Sequence, residues 1–241
     1  MNEFSNQTVL ITGGSGNLGR AAAAAFAARE ARIVLADRSP ERLEAVGRAL
    51  AAEHPGLEWL AHPADLTDPA SVDGLFEAVA VRFGQVDVLV HTVGGFRMGP
   101  KVADGDLDGL RAMFELNVTP LFLTAGRAAR QMLARGIQGK IVVVLARSGL
   151  KGIAGQSAYT SSKAAAQRVM ESLALEVRDQ GIHVNAVLPS VIDSAPNRES
   201  MPKADFSKWV EPTDLAEAIV FLASSAANAL YGVSLEVYNR A

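Results

Sequence analysis

The sequence contains no cysteine, which excludes disulfides, thiolate metal sites and cysteine nucleophiles together. Histidine is scarce too, with four scattered along 241 residues, so a metal centre has little to be built from. The formal net charge is only −3 and no block of like charge occurs, so nothing tracks a nucleic-acid backbone or an anionic membrane. Long apolar runs are missing as well. Ala21 to Ala28 and Ile141 to Ala146 fall far short of the ~20 residues that a spanning helix needs. The amino end, Met1 to Gln7, lacks the apolar core of a targeting segment. These absences predict a cytoplasmic protein with no metal, membrane or nucleic acid among its partners, and leave small molecules as the expected ligands.

What is present is a repeating pattern. Short runs rich in β-branched residues, at Thr8 to Thr12, Arg32 to Asp37, Val86 to His91, Lys140 to Leu145, His183 to Pro189 and Ser234 to Val237, read as strands. A weaker one lies at Leu57 to Ala61. Most lack strict alternation, as expected of parallel strands covered on both faces. Helices are predicted between them at Asn17 to Glu30, Pro40 to Glu53, Pro69 to Phe83, Asp106 to Arg135, Tyr159 to Gln180 and Thr213 to Ser224. This order predicts an α/β fold, a Rossmann-type doubly wound sheet of about seven parallel strands with helices on both faces. No linker or repeat divides the chain, so residues 1–241 are read as a single domain. The segment 190–210, which holds Pro196, Pro202, Met201, Phe206 and Trp209, reads either as a lid over a substrate or as a surface connection whose apolar residues pack down.

The first strand runs into Thr12-Gly13-Gly14-Ser15-Gly16-Asn17-Leu18-Gly19 and then an Ala-rich helix. Glycines let the backbone turn and approach phosphate, and the free amides of the helix start offer positive potential, so Gly13, Ser15, Asn17, Leu18 and Gly19 are assigned to a dinucleotide diphosphate. The second strand ends at Asp37, where a carboxylate suits ribose hydroxyls and repels a 2′-phosphate; Arg38 beside it suits that phosphate instead. With no basic residue between Gly13 and Gly19, NAD(H) is favoured over NADP(H). Asp65 and Leu66 fit the adenine edge, or equally a capping turn before Pro69.

Tyr159 and Lys163 stand four residues apart on a strong helix, so their side chains share a face. A tyrosine with pKa near 10 holds its proton too tightly for exchange near neutrality, and an adjacent ammonium stabilises the phenolate. The pair therefore reads as an acid–base device.

These features together resemble the short-chain dehydrogenase/reductase family. The Gly-rich start, Asp65-Leu66, the segment Val90 to Gly94, Asn117, Tyr159 with Lys163 and the strand Val184 to Pro189 follow the family order along the whole chain. The resemblance implies a nicotinamide cofactor, hydride transfer at a carbonyl or alcohol carbon, and a homodimer or homotetramer. It also implies that Val93 and Gly94 touch the cofactor, that Lys163 holds the nicotinamide ribose and that Asn117 supports a water-mediated proton path. Ile192 and Ser194, after Pro189, match the positions that meet the carboxamide.

Departures from the family pattern narrow the reading. The serine expected thirteen residues before the tyrosine is Ala146 here, followed by Arg147 and Ser148. Ser148, two residues on, would point to the same side if the strand continued. Asn17 replaces the middle glycine, an exchange rationalised by asparagine's tolerance of left-handed backbone. His91-Thr92-Val93-Gly94-Gly95-Phe96 replaces the usual paired asparagines and alanine, and Ser190 replaces a glycine. Alanine at position 146 with Val93 to Phe96 looks like the branch of quinonoid dihydropteridine reductase, which suggests an imine or quinone-like acceptor. The alternative is an ordinary carbonyl gripped by Arg147 or Ser148. The rival to an enzyme is a redox sensor that binds NAD(P) without turnover, against which the joint retention of Tyr159, Lys163 and Asn117 argues.

Overall fold

Seven runs of apolar, mostly β-branched residues pair in parallel into one sheet. The computed structural model describes residues 3–240. Its strands are β1 (Thr8–Thr12), β2 (Arg32–Asp37), β3 (Trp59–Pro63), β4 (Val88–His91), β5 (Lys140–Val144), β6 (His183–Pro189) and β7 (Ser234–Val237). Their order across the sheet is β3-β2-β1-β4-β5-β6-β7. The helices are α1 (Asn17–Ala27), α2 (Pro40–Glu53), α3 (Pro69–Phe83), α4 (Leu107–Asn117), α5 (Thr119–Arg135), α6 (Ser157–Val177), α7 (Ala195–Ser200) and α8 (Pro212–Ala223).

The two-residue period of the strands divides the core in two. Leu10, Val34, Leu89, Ile141 and Val184 face α3, α5 and α6. Val9, Ile33, Val88, Val142 and Val187 face α1, α2 and α8. Both faces are thus covered, which explains strands without polar alternation. Local signals set the helix starts. Ser39 Oγ accepts from the Arg42 N–H, and Asp68 from the Ser71 N–H at 2.8 Å, each just before a proline at the first turn. Among the described residues no helix is long and apolar enough to cross a membrane.

The structure departs from the expected elements in several places. The helix predicted over Asp106 to Arg135 is two helices, broken at Val118, where φ is −111° and ψ −51°. Pro120 has no N–H for the Leu116 carbonyl, so the ladder cannot run through. The third strand sits two residues later than predicted, with Asp37 opposite Pro63. Ala195–Ser200, within the segment read as a lid or surface connection, forms the unpredicted helix α7. The other differences are at ends: β4 starts at Val88, β5 stops at Val144, α1 stops at Ala27, α6 starts at Ser157 and closes in a 3-10 turn at Arg178–Gln180, and α8 starts and stops one residue early.

The sharpest steric constraint against backbone lies where β1 turns into α1. Gly13 has φ of +69°, and a Cβ on Gly19 would stand 2.2 Å from the Gly13 carbonyl oxygen. A Cβ on Gly74, inside α3, meets nothing within 4 Å. Gly19→Ala and Gly74→Ala should therefore move stability in opposite directions. Urea unfolding should show a loss of about 1–3 kcal/mol for the first, because overpacking against backbone outweighs helix propensity. The second should gain up to about 1 kcal/mol from propensity alone.

Candidate active site

The sheet order reverses between β1 and β4, and their ends lie in register, Thr12 beside His91, leaving a crevice at the carboxyl edge. A groove of about 330 Å³ opens there. Gly13, Asn17, Leu18 and Gly19 line one wall, Asp37 and Arg38 a second, Asp65 and Leu66 a third, and Val93 and Gly94 the floor. Ten residues singled out from sequence thus meet in one cleft. Gly16, Ala64, Thr67, Thr92, Leu116 and Pro120 also line it and were not singled out. Thr92 lies within the Val90 to Gly94 segment but had no role of its own assigned; its hydroxyl donates to the Thr12 carbonyl at 2.7 Å and ties β4 to β1.

The residues around this groove have structural duties as well. Ser15 anchors the glycine loop to β2, its hydroxyl donating to Asp37 Oδ2 at 2.6 Å. Asp37 Oδ1 accepts from the Arg38 N–H at 2.7 Å. Asp65 accepts from the Thr67 N–H and hydroxyl, which hold its pKa below the usual carboxylate value. Asp68, not Asp65, caps α3. Asn17 begins α1 and, among the described residues, is not one of the three non-glycine residues with positive φ. The left-handed tolerance invoked for the Asn17 exchange is therefore not needed; the left-handed residue of the loop is Gly13. Pro189, the last residue of β6, and Ile192 and Ser194 beyond it do not line this groove. Ile192 bridges Val210 in parallel, and Ser194 caps α7 by accepting from the Asn197 N–H.

Tyr159 lies in the first turn of α6 and Lys163 one turn later. Lys163 is buried, and its Nζ donates to the Val144 carbonyl across 3.4 Å. A Cβ on Gly94 would stand 2.9 Å from that Nζ and 2.8 Å from Asn117 Oδ1, so only glycine leaves room there. The Asn117 amide reaches three ways. Its Oδ1 accepts from the Gly95 N–H at 2.9 Å, and its Nδ2 donates to the Gly95 carbonyl at 3.1 Å and to Ser162 Oγ at 3.0 Å. Ser162, overlooked in the sequence because its neighbours carry the motif, donates onward to the Tyr159 carbonyl at 2.8 Å. Phe96 stands edge to face against the Tyr159 ring, centroids 4.9 Å apart, and is itself 55% exposed.

Two expectations change here. Burial pushes the Tyr159 hydroxyl up to about 12, rather than the ammonium drawing it down, and the same desolvation lowers Lys163 to about 8. Both groups are thus biased toward neutrality. The strand also does not continue to Ser148: Ala146 is extended, with φ −161° and ψ 145°, but Arg147–Leu150 forms a 3-10 turn packed on α6. The alternation that carried Ser148 to the side of residue 146 does not apply in that turn. The Arg147 guanidinium lies 5.0 Å over the Tyr238 ring.

A family model described as short chain dehydrogenase matches residues 7–205. Cis-4-hydroxycyclohexanecarboxylate dehydrogenase of Sinomonas cyclohexanicum is 34% identical over 243 residues, covering 97% of this chain and 96% of that protein. L-rhamnose 1-dehydrogenase (NAD(P)(+)) of Azotobacter vinelandii is also 34% identical, covering 96% and 95%. A solved short-chain type dehydrogenase/reductase from Mycobacterium ulcerans superposes with a TM-score of 0.92 at 26% identity, covering 99% of this chain and 90% of that one.

The buried lysine has a measurable signature. Its folded pKa of about 8 lies below the unfolded value of about 10.4, so between those values the unfolded state holds more protons and stability rises with pH. Cofactor-free protein should therefore gain stability from pH ~8 to ~10 relative to a Lys163→Met variant, by urea midpoints at each pH. Parallel midpoints for the two proteins would show that Lys163 keeps its proton in the fold.

Proposed function

The chain belongs to the short-chain dehydrogenases, and from that membership we propose that it is a nicotinamide-dependent oxidoreductase acting at a secondary alcohol or its carbonyl, with Tyr159 as general acid and base. The observation that carries this reading is the convergence of Tyr159, Lys163 and Asn117 beside the floor of the dinucleotide groove, joined through Gly94, Gly95 and Ser162. The groove fits such a cofactor: it is floored by glycine where side chains would collide, and the free amides at the start of α1 open into it. Bound NADH supplies the hydride. The chain's own residues do the rest. Tyr159 gives its proton to the substrate oxygen, and Lys163 supplies positive charge one helical turn away, which lowers the cost of the phenolate left behind. Asn117 holds Gly95 and α6 in fixed relation, so the hydroxyl keeps its place.

NAD(H) is favoured over NADP(H), because Asp37 would face a 2′-phosphate across the same wall as Arg38. A relative whose name carries NAD(P)(+) leaves both forms open. With Ala146 in place of a hydroxyl donor, Ser148 is the nearest hydroxyl along the chain, and an imine or quinone-like acceptor is the alternative that needs no such donor. The relatives' names point to hydroxylated substrates. Segment 190–210 is proposed as a lid. Its base is pinned by the Ile192–Val210 bridge, and its interior is held by Asp193 with Arg198 at 2.5 Å and by the Arg198 guanidinium 4.9 Å over Phe206. A homodimer or homotetramer is proposed, with Phe122, 64% exposed, and Leu173, which line one cleft between α5 and α6, as the shared apolar surface.

Steady-state kinetics with NADH and NADPH across cyclic ketones, open-chain ketoses and quinone-like rings tests the reading. Tyr159→Phe should lower kcat by about 10²–10⁴ on every substrate that wild type reduces. An unchanged rate ends the assignment of Tyr159. Tight NAD(H) binding without turnover of any substrate favours the sensor.

A further inference from the structure

His91 ends β4 directly before the loop that carries Gly94 and Phe96, and the acid–base mechanism gives it no task. Its ring is fully buried, at 1% exposure. The strand alternation that sends Leu10 and Leu89 toward α3, α5 and α6 sends Thr12 and His91, two residues on, to the same side. Lys163 enters that side from α6.

The hydrogen-bond partners favour one tautomer of the ring. His91 Nδ1 stands 3.0 Å from Thr12 Oγ1 and 3.0 Å from Thr124 Oγ1. Thr124 commits its only hydroxyl hydrogen to the Pro120 carbonyl at 2.7 Å, so toward the ring it can only accept. The tautomer that satisfies Thr124 carries its proton on Nδ1 and leaves Nε2 a bare acceptor; the Thr12 hydroxyl accommodates either tautomer. Desolvation, then the charge of Lys163, pushes the ring down to about 3 and keeps it neutral. Nε2 has no partner. A buried acceptor left unmet is costly, so such an atom marks a bond to be made.

The complementary donor is close by. Lys163 Nζ carries three hydrogens, and its bond to the Val144 carbonyl is long, at 3.4 Å. Val144 follows Val143, the register partner of His91. Gly94, three residues after His91, would carry its Cβ 2.9 Å from the same Nζ. A bare acceptor and an under-used donor thus lie at the ends of the paired strands β4 and β5, near enough for the lysine charge to act on the ring.

We infer that His91 is a positioning residue for Lys163: its Nε2 accepts a hydrogen bond from the Lys163 ammonium, directly or through one buried water, with the ring clamped by Thr12 and Thr124. The inference rests on the reading of Tyr159 and Lys163 as the acid–base pair. Lys163 is the charged group that acts on the ring; β1, β5 and α5 present Thr12, Val143 and Thr124 to it. The clamp makes the end of the glycine-loop strand and the lysine parts of one hydrogen-bonded unit.

Nitrogen NMR of the His91 ring in cofactor-free protein tests this without turnover. Nδ1 should be protonated and Nε2 unprotonated from pH 5 to 9, and the Nε2 resonance should move in Lys163→Met. A protonated Nε2, or a resonance indifferent to that substitution, overturns the inference. In the kinetic arm, His91→Phe keeps the ring volume and removes both nitrogens. It should raise the apparent pKa of the kcat profile for alcohol oxidation by about one unit, because an ammonium without its acceptor supports phenolate less well. His91→Asn, which restores an amide acceptor, should recover part of the shift. A uniform loss of rate with an unmoved pKa would mean a packing role only. If wild type reduces nothing, the proposed function fails while the NMR result still decides the geometry.

Discussion

The arrangement at the site depends on one side-chain amide. Asn117 has an acceptor and two donor hydrogens, and all three are used, two on Gly95 and one on Ser162. The loop after β4 and the first turns of α6 are otherwise separate stretches of chain. Joined through this amide, they bring Gly94, Phe96, Tyr159 and Lys163 to one place. The break at Val118 lets this work: Asn117 is the last residue of α4, and Thr119 starts a second helix with Pro120 in its first turn. A straight helix through 106–135 would carry the amide elsewhere.

Much of this was legible beforehand. Apolar runs between helical stretches located all seven strands, and serine or aspartate before proline marked the starts of α2 and α3. The glycine loop and the Tyr159–Lys163 spacing located both ends of the site. Legibility failed where long-range geometry decides. Nothing local in Ala146-Arg147-Ser148 announces that extended backbone gives way to a 3-10 turn. The break at Val118 was signalled by Pro120 and overridden by an otherwise unbroken helical pattern. Tyr159 was expected to be acidified by its neighbour, and burial, invisible in a sequence, reverses the sign. His91 and Ser162 matter through partners on other elements, and no spacing rule reports those.

Electrostatics and packing meet at the floor of the site. Lys163 is surrounded by neutral groups, the Val144 carbonyl, the Asn117 amide and the His91 ring, in place of a carboxylate. A carboxylate there would hold the lysine charged but oppose a phenolate one turn away. Neutral acceptors solvate the ammonium without adding negative charge, which suits a group whose positive charge is needed by its neighbour.

The bridge between Ile192 and Val210 has a consequence for how such a protein can change over generations. Val210 belongs to the core beside α8 and Ile192 packs against that same core, so both ends of the intervening chain are fixed to the scaffold. The residues between them bind one another, Asp193 to Arg198 and Phe206 to Trp209, and the carbonyls of Ser207 and Trp209 accept from Arg240 and Asn239. A segment closed at its base and knit internally can be exchanged or lengthened without altering the register of any strand. Selection can then rework the segment beyond β6 while the glycine loop stays untouched.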